Sequence, residues 1–191
     1  MKKRIIVAIS GATGSIYGIR LLEALRQKED VEIHLIISHW AEENIKIETN
    51  YSVEEVRALA HYNYRNNEMG ARISSGSFRA SEMVVIPCSM KTLSAISCGF
   101  SENLIARAAD VMLKERRSLI VVPRETPLNA IHLENMLKLA RMGVSIMPPM
   151  PSFYHQPKSV DDLLNHFTGR VLDLLGIENE MSGRWNDGLD D

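Results

Sequence analysis

Five short apolar runs, rich in β-branched residues, alternate along the chain with longer segments that carry apolar residues at helical spacing. Parallel strands that are buried on both faces read as nearly continuous apolar runs, and the connections between them are usually helices. The alternation therefore predicts an α/β fold: a flavodoxin-like or Rossmann-like three-layer domain with a parallel sheet. The predicted strands are residues 3–9, 31–37, 82–87, 118–123 and 144–147.

Length and charge limit what this domain can be. A chain of 191 residues with 45% hydrophobic content suits one compact domain, so we predict a single domain over 1–191 with a polar tail from about 177 to 191. The net charge of -2 provides no basic field for nucleic acid or an anionic membrane. No segment approaches the ~20 apolar residues of a membrane span, and two cysteines form no disulfide framework. These observations predict a cytoplasmic protein.

One long stretch, roughly 60–80, shows neither helical nor strand periodicity. Loops of this length inside a compact domain are commonly active-site lids or binding loops. We therefore expect this stretch to be a mobile lid or an interface loop.

A glycine turn, "SGATGSIYG" at residues 10–18, follows the first predicted strand and precedes the first helix. Backbone N–H groups at the positive end of a helix dipole favour an anion. The spacing is neither G-x-G-x-x-G nor the lysine-bearing triphosphate loop. The turn alone therefore leaves a dinucleotide site, a mononucleotide site and a structural turn open.

Polar residues follow all five predicted strands, where open parallel sheets bind their ligands. They are Ser10, Gly11, Thr13 and Ser15; Ser38 and His39; Pro87, Cys88, Ser89 and Lys91; Arg124 and Glu125; and residues 148–154. Hydroxyls, backbone amides and an arginine suit a phosphate and a polar heteroaromatic ring. A dinucleotide site needs an acidic residue after the second strand, and "IISHW" has none. A mononucleotide is therefore favoured.

Three motifs resemble functional sites but are better explained structurally. "YHQPK", Tyr154 to Lys158, has a dehydrogenase-like Tyr/Lys spacing, but Pro151 and Pro157 predict extended chain there. "DDLLN" at 161–165 lacks a third aspartate and lies at a predicted helix start. Cys88 follows a proline at a strand end, which is typical of a small buried residue rather than a nucleophile. The histidine and cysteine spacings predict no metal site.

Arg107 and Lys114 lie two turns apart on one predicted helix and therefore on the same face. Arg107 stands among apolar residues, where a purely solvated arginine is less expected. We predict a second anion site here, distinct from the glycine turn.

Several motifs together resemble the UbiX-type flavin prenyltransferases, and most closely the small subunit that accompanies phenolic acid decarboxylases. They are "SGATGSIYGIRLLEAL", "PCSMKTLSAI", "LKERR" with "VPRE", and "FYHQP". The resemblance implies transfer of a dimethylallyl group from dimethylallyl phosphate to N5 and C6 of reduced FMN, without a metal. It also implies a homododecamer that supplies prenylated FMN to a UbiD-type decarboxylase.

The same resemblance assigns roles to particular positions. It implies FMN binding by Gly11, Ala12, Thr13, Ser38, Ser89, Met90, Lys91, Thr92 and Arg124. It implies dimethylallyl phosphate binding by Tyr154, Arg170, Lys114 and Arg107, and catalytic roles for Glu125, Glu48, Lys114 and Trp185. Three alternatives remain: an FMN-dependent decarboxylase acting directly on phenolic acids, a flavin-dependent cysteine decarboxylase and a flavin storage protein.

Overall fold

The computed structural model describes residues 2–181. Within that range, six parallel strands form one sheet in the order β3-β2-β1-β4-β5-β6. The strands are β1 (Lys3–Ile9), β2 (Val31–Ile37), β3 (Tyr62–Arg65), β4 (Glu82–Cys88), β5 (Ser118–Pro123) and β6 (Ser145–Ile146). The α/β fold with a parallel sheet is thus confirmed. The strand order reverses between β1 and β4, which is the position where such sheets open a ligand crevice.

Seven α-helices and one 3-10 turn connect and follow these strands within residues 2–181. They are α1 (Ser15–Arg26), α2 (His39–Glu48), α3 (Val53–Ala58), α4 (Met90–Cys98), α5 (Leu104–Lys114), α6 (Ala130–Arg141), α7 (Val160–Leu174) and the turn Arg72–Ser74. Side-chain caps define most of the starts, because they satisfy backbone N–H groups that have no partner within the helix. Ser52 and Glu55 form a capping box at the start of α3.

The central strands supply most of the core. Residues Ile5 to Ile9 of β1 are almost completely buried, as continuous burial on both faces of a parallel sheet requires. Helix α5 adds an apolar face that includes Leu104, Ala108 and Met112 and belongs to the same buried cluster as β4 and β5. This packing fixes the carboxyl ends of the strands, from which the candidate site is built.

The prediction that residues 60–80 lack regular structure was wrong for part of the segment, and its role as a mobile lid or an interface loop stays a prediction. The segment contains β3, which pairs with β2, and the turn Arg72–Ser74. Tyr64, Ile73 and Ala80 are buried in the main core. The physical reason is that β3 is an edge strand of four residues with only Tyr64 buried, too short a stretch for a recognisable period.

A buried histidine links β2 to this segment. The fully buried His34 ring contacts the Tyr64 hydroxyl through Nδ1 at 3.0 Å and the Glu32 carboxylate through Nε2 at 2.9 Å. The ring also stacks on Tyr62, with 4.8 Å between the centroids. Burial lowers the pKa of His34, although hydrogen bonding to Glu32 opposes the shift. The network therefore satisfies a buried polar group and attaches residues 60–80 to the sheet.

The chain divides into two compact units, one up to Pro148 and one from Pro149 onward. The second unit contains α7, which begins after the N-cap Ser159. The Asp162 carboxylate accepts hydrogen bonds from the backbone N–H groups of Lys158 and Ser159 at 2.8 and 3.0 Å, which lower its pKa. The structural interpretation of "DDLLN" is confirmed. Residues 151–158 form no helix, as their prolines predicted.

The expectation of one domain over 1–191 stays a prediction. Among residues 2–181, no helix combines the length and the apolar character needed to cross a membrane.

Candidate active site

A cleft of about 590 Å³ lies beyond the carboxyl ends of β1, β2 and β4. Five of the residues expected to bind FMN line it together: Gly11, Ser38, Ser89, Lys91 and Thr92. They come from three different strand ends, which the chain topology brings to one edge of the sheet. Its size falls within the ~300–1,000 Å³ typical of small-molecule sites.

Gly11 lies on the wall of the cleft beside Trp40, the second residue of α2. A Cβ at Gly11 would lie 2.6 Å from the Trp40 Cβ, which is closer than two carbon atoms can approach. The backbone at Gly11 can therefore come this close to α2 only because the residue has no side chain. Trp40 remains largely exposed, so its ring adds an aromatic surface to the cleft.

The N-terminus of α4 carries the largest group of predicted FMN residues. Ser89 is the N-cap: its Oγ accepts a hydrogen bond from Thr92 N at 3.3 Å and donates one to Thr92 Oγ1 at 3.1 Å. Met90 is the first residue of the helix, and Lys91 is exposed beside it. Hydroxyls, a lysine and the positive end of a helix dipole suit a phosphate. They fit the phosphate of FMN.

The N-terminus of α1 already binds an anion, the Glu48 carboxylate. Glu48 Oε2 accepts hydrogen bonds from Gly14 N at 2.8 Å and Ser15 N at 3.1 Å. Gly14 takes a left-handed conformation with φ of 95°, which glycine adopts readily. The glycine turn thus holds the end of α2 against α1, with Ala12 and Thr13 between Gly11 and this contact.

Arg124 and Glu125 follow β5 and are both exposed. Arg124 N donates to Cys88 O at 3.1 Å, so its backbone is tied to the end of β4. Burial raises the pKa of Tyr17 on α1, and the positive charge of Arg124 partly offsets that shift. The charge of Arg124 is therefore close enough to Tyr17 to affect its ionisation. Glu125 Oε1 accepts a hydrogen bond from Thr126 N at 3.0 Å.

Arg107 and Lys114 share one face of α5, as predicted, but do not line the cleft described above. Arg107 Nε donates to Ser74 O at 3.1 Å, and its Nη1 donates to Asp110 Oδ2 at 2.8 Å. Lys114 contacts the neighbouring Glu115 carboxylate. A Cβ at Gly76 would lie 2.8 Å from Lys114 Nζ. Both cations therefore face the segment that follows β3.

In the second unit, Tyr154 and Arg170 have different surroundings. The Tyr154 hydroxyl lies 2.7 Å from Nε2 of the buried His166, and Ser152 Oγ lies 3.1 Å from Nδ1 of that ring. Arg170 is exposed and pairs with Asp173 at 2.8 Å. Trp185 lies outside the residues that the structure describes.

Two asparagines of the cleft were missed by the sequence prediction. Asn66 follows β3, and its backbone and side-chain oxygens accept hydrogen bonds from Leu104 N and Ile105 N at 2.8 and 3.1 Å. Asn103 is the N-cap of α5. Both line the cleft. The polar cluster "RNN" directly after Tyr64 was the available signal, but it could be placed only once β3 was recognised as a strand.

Cys88 is completely buried, and burial raises the pKa of its thiol well above its usual range. Since the thiolate is the reactive form, we expect Cys88 to resist alkylation in the folded protein and to react after unfolding. Cys98 is exposed and serves as the internal control. Peptide mass spectrometry after iodoacetamide treatment measures both sites. Rapid native labelling of Cys88, or loss of activity in Cys88→Ala, would contradict the structural role.

Within residues 2–181, no group of three or more histidine, cysteine, aspartate or glutamate side chains could hold a metal ion.

The polar cleft at the strand-order reversal is the arrangement of an α/β nucleotide-binding protein. Of the ligands that the sequence predicted, a mononucleotide suits this cleft best.

Comparisons with known proteins agree with this class. The sequence pattern of the flavoprotein family matches residues 1–171. The flavin prenyltransferase LpdB of Lactiplantibacillus plantarum is 54% identical over 183 residues, which cover 96% of this chain and 98% of LpdB. The crystal structure of AnUbiX (PadA1) in complex with FMN and dimethylallyl pyrophosphate matches with a TM-score of 0.95 and 54% identity, over 97% of this chain and 98% of that chain.

A dodecameric FMN-dependent UbiX-like decarboxylase from Escherichia coli O157:H7 also has a TM-score of 0.95. It is 52% identical, and the match covers 96% of this chain and 99% of that chain. The protein described here therefore belongs to the flavoprotein family and, within it, to the UbiX-like flavin prenyltransferases.

Proposed function

We propose that the protein is a flavin prenyltransferase that joins the dimethylallyl group of dimethylallyl phosphate to N5 and C6 of reduced FMN. The C–O bond of the donor breaks as its C1 bonds to N5, N5 loses its proton and inorganic phosphate leaves. Protonation of the remaining C=C bond of the prenyl group then allows its tertiary carbon to bond to C6, and C6 loses a proton as the fourth ring closes, so the flavin gains C5H8 in total. The product is prenylated FMN. The observation that carries the proposal is the cleft in which Gly11, Ser38, Ser89, Lys91 and Thr92 converge.

FMN binding is supported by the chemistry of this cleft. Ser89, Lys91 and Thr92 at the N-terminus of α4 suit the phosphate of a mononucleotide. Gly11 contributes backbone to the wall of the cleft beside Trp40, and Arg124 supplies a cation after the end of β5. Ala12, Thr13, Ser38 and Met90 complete the proposed FMN set. FMN supplies the ring atoms that accept the prenyl group.

The proposed donor site consists mainly of cations and a phenol. Lys114, Tyr154 and Arg170 bind the phosphate of dimethylallyl phosphate by charge-assisted hydrogen bonds, and Arg107 supports them. A monophosphate departs as inorganic phosphate, so positioned cations can provide the charge stabilisation that a metal provides for a diphosphate. The reaction we propose is accordingly independent of metal.

Two carboxylates and an indole complete the proposed catalytic set. Glu125 accepts the proton lost from C6 or donates one to the departing phosphate. Glu48 holds the glycine turn through Gly14 and Ser15. Trp185 stabilises the allylic cation through its ring face.

The proposal extends to the setting of the reaction. We propose a homo-oligomer, a dodecamer as in the Escherichia coli relative, acting in the cytoplasm as one domain over 1–191. Prenylated FMN would pass to a separate UbiD-type decarboxylase.

An anaerobic incubation tests the proposed activity. Purified protein with reduced FMN and dimethylallyl phosphate, with and without a metal chelator, should yield a flavin heavier by one prenyl unit in mass spectrometry. Dimethylallyl diphosphate tests the donor preference. Decarboxylation of a hydroxybenzoate by this chain alone, without the change in flavin mass, would overturn the proposal.

A further inference from the structure

Ser10, directly after β1, is a buried serine whose hydroxyl connects the ends of two strands. The Oγ donates a hydrogen bond to Pro87 O at 2.9 Å and accepts one from Ser89 N at 2.8 Å. Its exposed fraction is only 1%, and it does not line the FMN cleft. Both bonds cross from β1 to β4, where the order of strands reverses.

The hydroxyl and the backbone of Ser10 both bond to β4 beyond the regular ladder. The paired positions of β1 and β4 run from Ile5–Glu82 to Ala8–Val85, and past them Ser10 N donates to Pro87 O at 3.2 Å. On its other side, the register of β4 against β5 shifts between Val85 and Cys88. Ser89 N, beyond the shift, receives its acceptor from the Ser10 side chain instead of from a strand backbone. Without this acceptor, the part-buried N–H of Ser89 would be unsatisfied, which destabilises the folded arrangement. The position of Ser89 therefore depends on Ser10.

Gly11 and Ser89, the two residues joined to these hydrogen bonds on either side, both line the cleft. Gly11 follows Ser10 along the chain, and Ser89 caps α4 through Thr92. Movement of Ser89 would therefore displace the start of α4 relative to Gly11. We propose that Ser10 is a positioning residue for FMN: its hydroxyl fixes Ser89, and through it the N-terminus of α4, in the orientation that binds the FMN phosphate. The inference rests on the proposed function only for the identity of the ligand.

The test compares Ser10→Ala, Ser10→Thr and Ser10→Cys in the full-length protein. The dissociation constant of FMN is measured by quenching of flavin fluorescence, and the geometry of bound FMN by visible circular dichroism. Ser10→Ala should weaken FMN binding about tenfold, which corresponds to about 1.4 kcal/mol. Ser10→Thr retains the hydroxyl and should stay within about twofold of the wild type. Ser10→Cys, with a weakly hydrogen-bonding thiol of similar size, should behave like Ser10→Ala and replaces it if that variant does not fold.

Ser97→Ala is the matched control. Ser97 is also a buried serine, it belongs to α4 but does not line the cleft, and its Oγ lies within hydrogen-bond distance of Ser94 O and Asn135 Oδ1, at 3.0 and 2.7 Å. It should lower the thermal midpoint without changing the affinity for FMN. If Ser10→Ala and Ser10→Cys lower the midpoint but bind FMN as tightly as the wild type, Ser10 is merely structural and the inference is wrong. These measurements need no prenyl donor, so failure of the prenylation assay in the wild type would overturn the proposed function separately.

Discussion

Replacement of Glu125 by glutamine should abolish prenylation while FMN binding stays intact. Glu125 follows β5, is exposed, and accepts a hydrogen bond from the N–H of Thr126. Glutamine keeps the shape of the side chain and an oxygen for that bond but cannot take up a proton at neutral pH. Loss of one general acid or base typically lowers a rate by about 100- to 10,000-fold. Mass spectrometry of the flavin after single turnover measures the expected loss.

The control for this variant is Glu134→Gln. Glu134 is an exposed acid on α6 that we place outside the catalytic set, so its removal should change neither flavin binding nor rate. Glu125→Gln protein that prenylates FMN at the wild-type rate would remove Glu125 from the mechanism. If the protein only stores flavin, Glu125→Gln and the wild type should not differ in FMN binding or in prenylation.

The strands that could be predicted were those bounded by clear turn residues. The predicted limits 3–9, 31–37 and 118–123 coincide with β1, β2 and β5, because each is rich in apolar residues and buried along most of its length. The same logic could not find β3, an edge strand of four residues of which only Tyr64 is buried. β6 is also shorter than predicted, with only Ser145 and Ile146 paired to β5.

The candidate site shows the same division between local and long-range information. The prediction that polar strand ends meet at one edge of the sheet is confirmed for Gly11, Ser38 and Ser89, since that follows from topology alone. The anion at the α1 N-terminus could be predicted, but not its identity. Glu48 is 34 residues from Gly14, and nothing local in the sequence indicates that its carboxylate reaches back to the turn.

Replacement of Gly18 by alanine should destabilise the protein, although alanine favours helix. Gly18 is buried inside α1, and a Cβ there would lie 2.6 Å from Ile86 O and 3.1 Å from the Ile9 side chain. Alanine gains about 1 kcal/mol of helix propensity. Overpacking typically costs about 1–3 kcal/mol or more, and the upper end applies because the obstructing atom is a strand carbonyl. The cost of the overlap exceeds the gain in helix propensity, so the midpoint of thermal unfolding should be lower.

Gly70→Ala is the matched control, because a Cβ at Gly70 meets nothing within 4 Å. It should leave the midpoint unchanged or slightly higher, since alanine restricts the unfolded chain. If Gly18→Ala unfolds at the same temperature as Gly70→Ala, then α1 can move away from β4 at no cost and the prediction is wrong. The overlap should also affect ligand binding: Ile86 precedes Pro87, whose carbonyl accepts the Ser10 hydroxyl. Displacement of this part of β4 would move Ser89, so the folded fraction of Gly18→Ala should bind FMN more weakly than Gly70→Ala does.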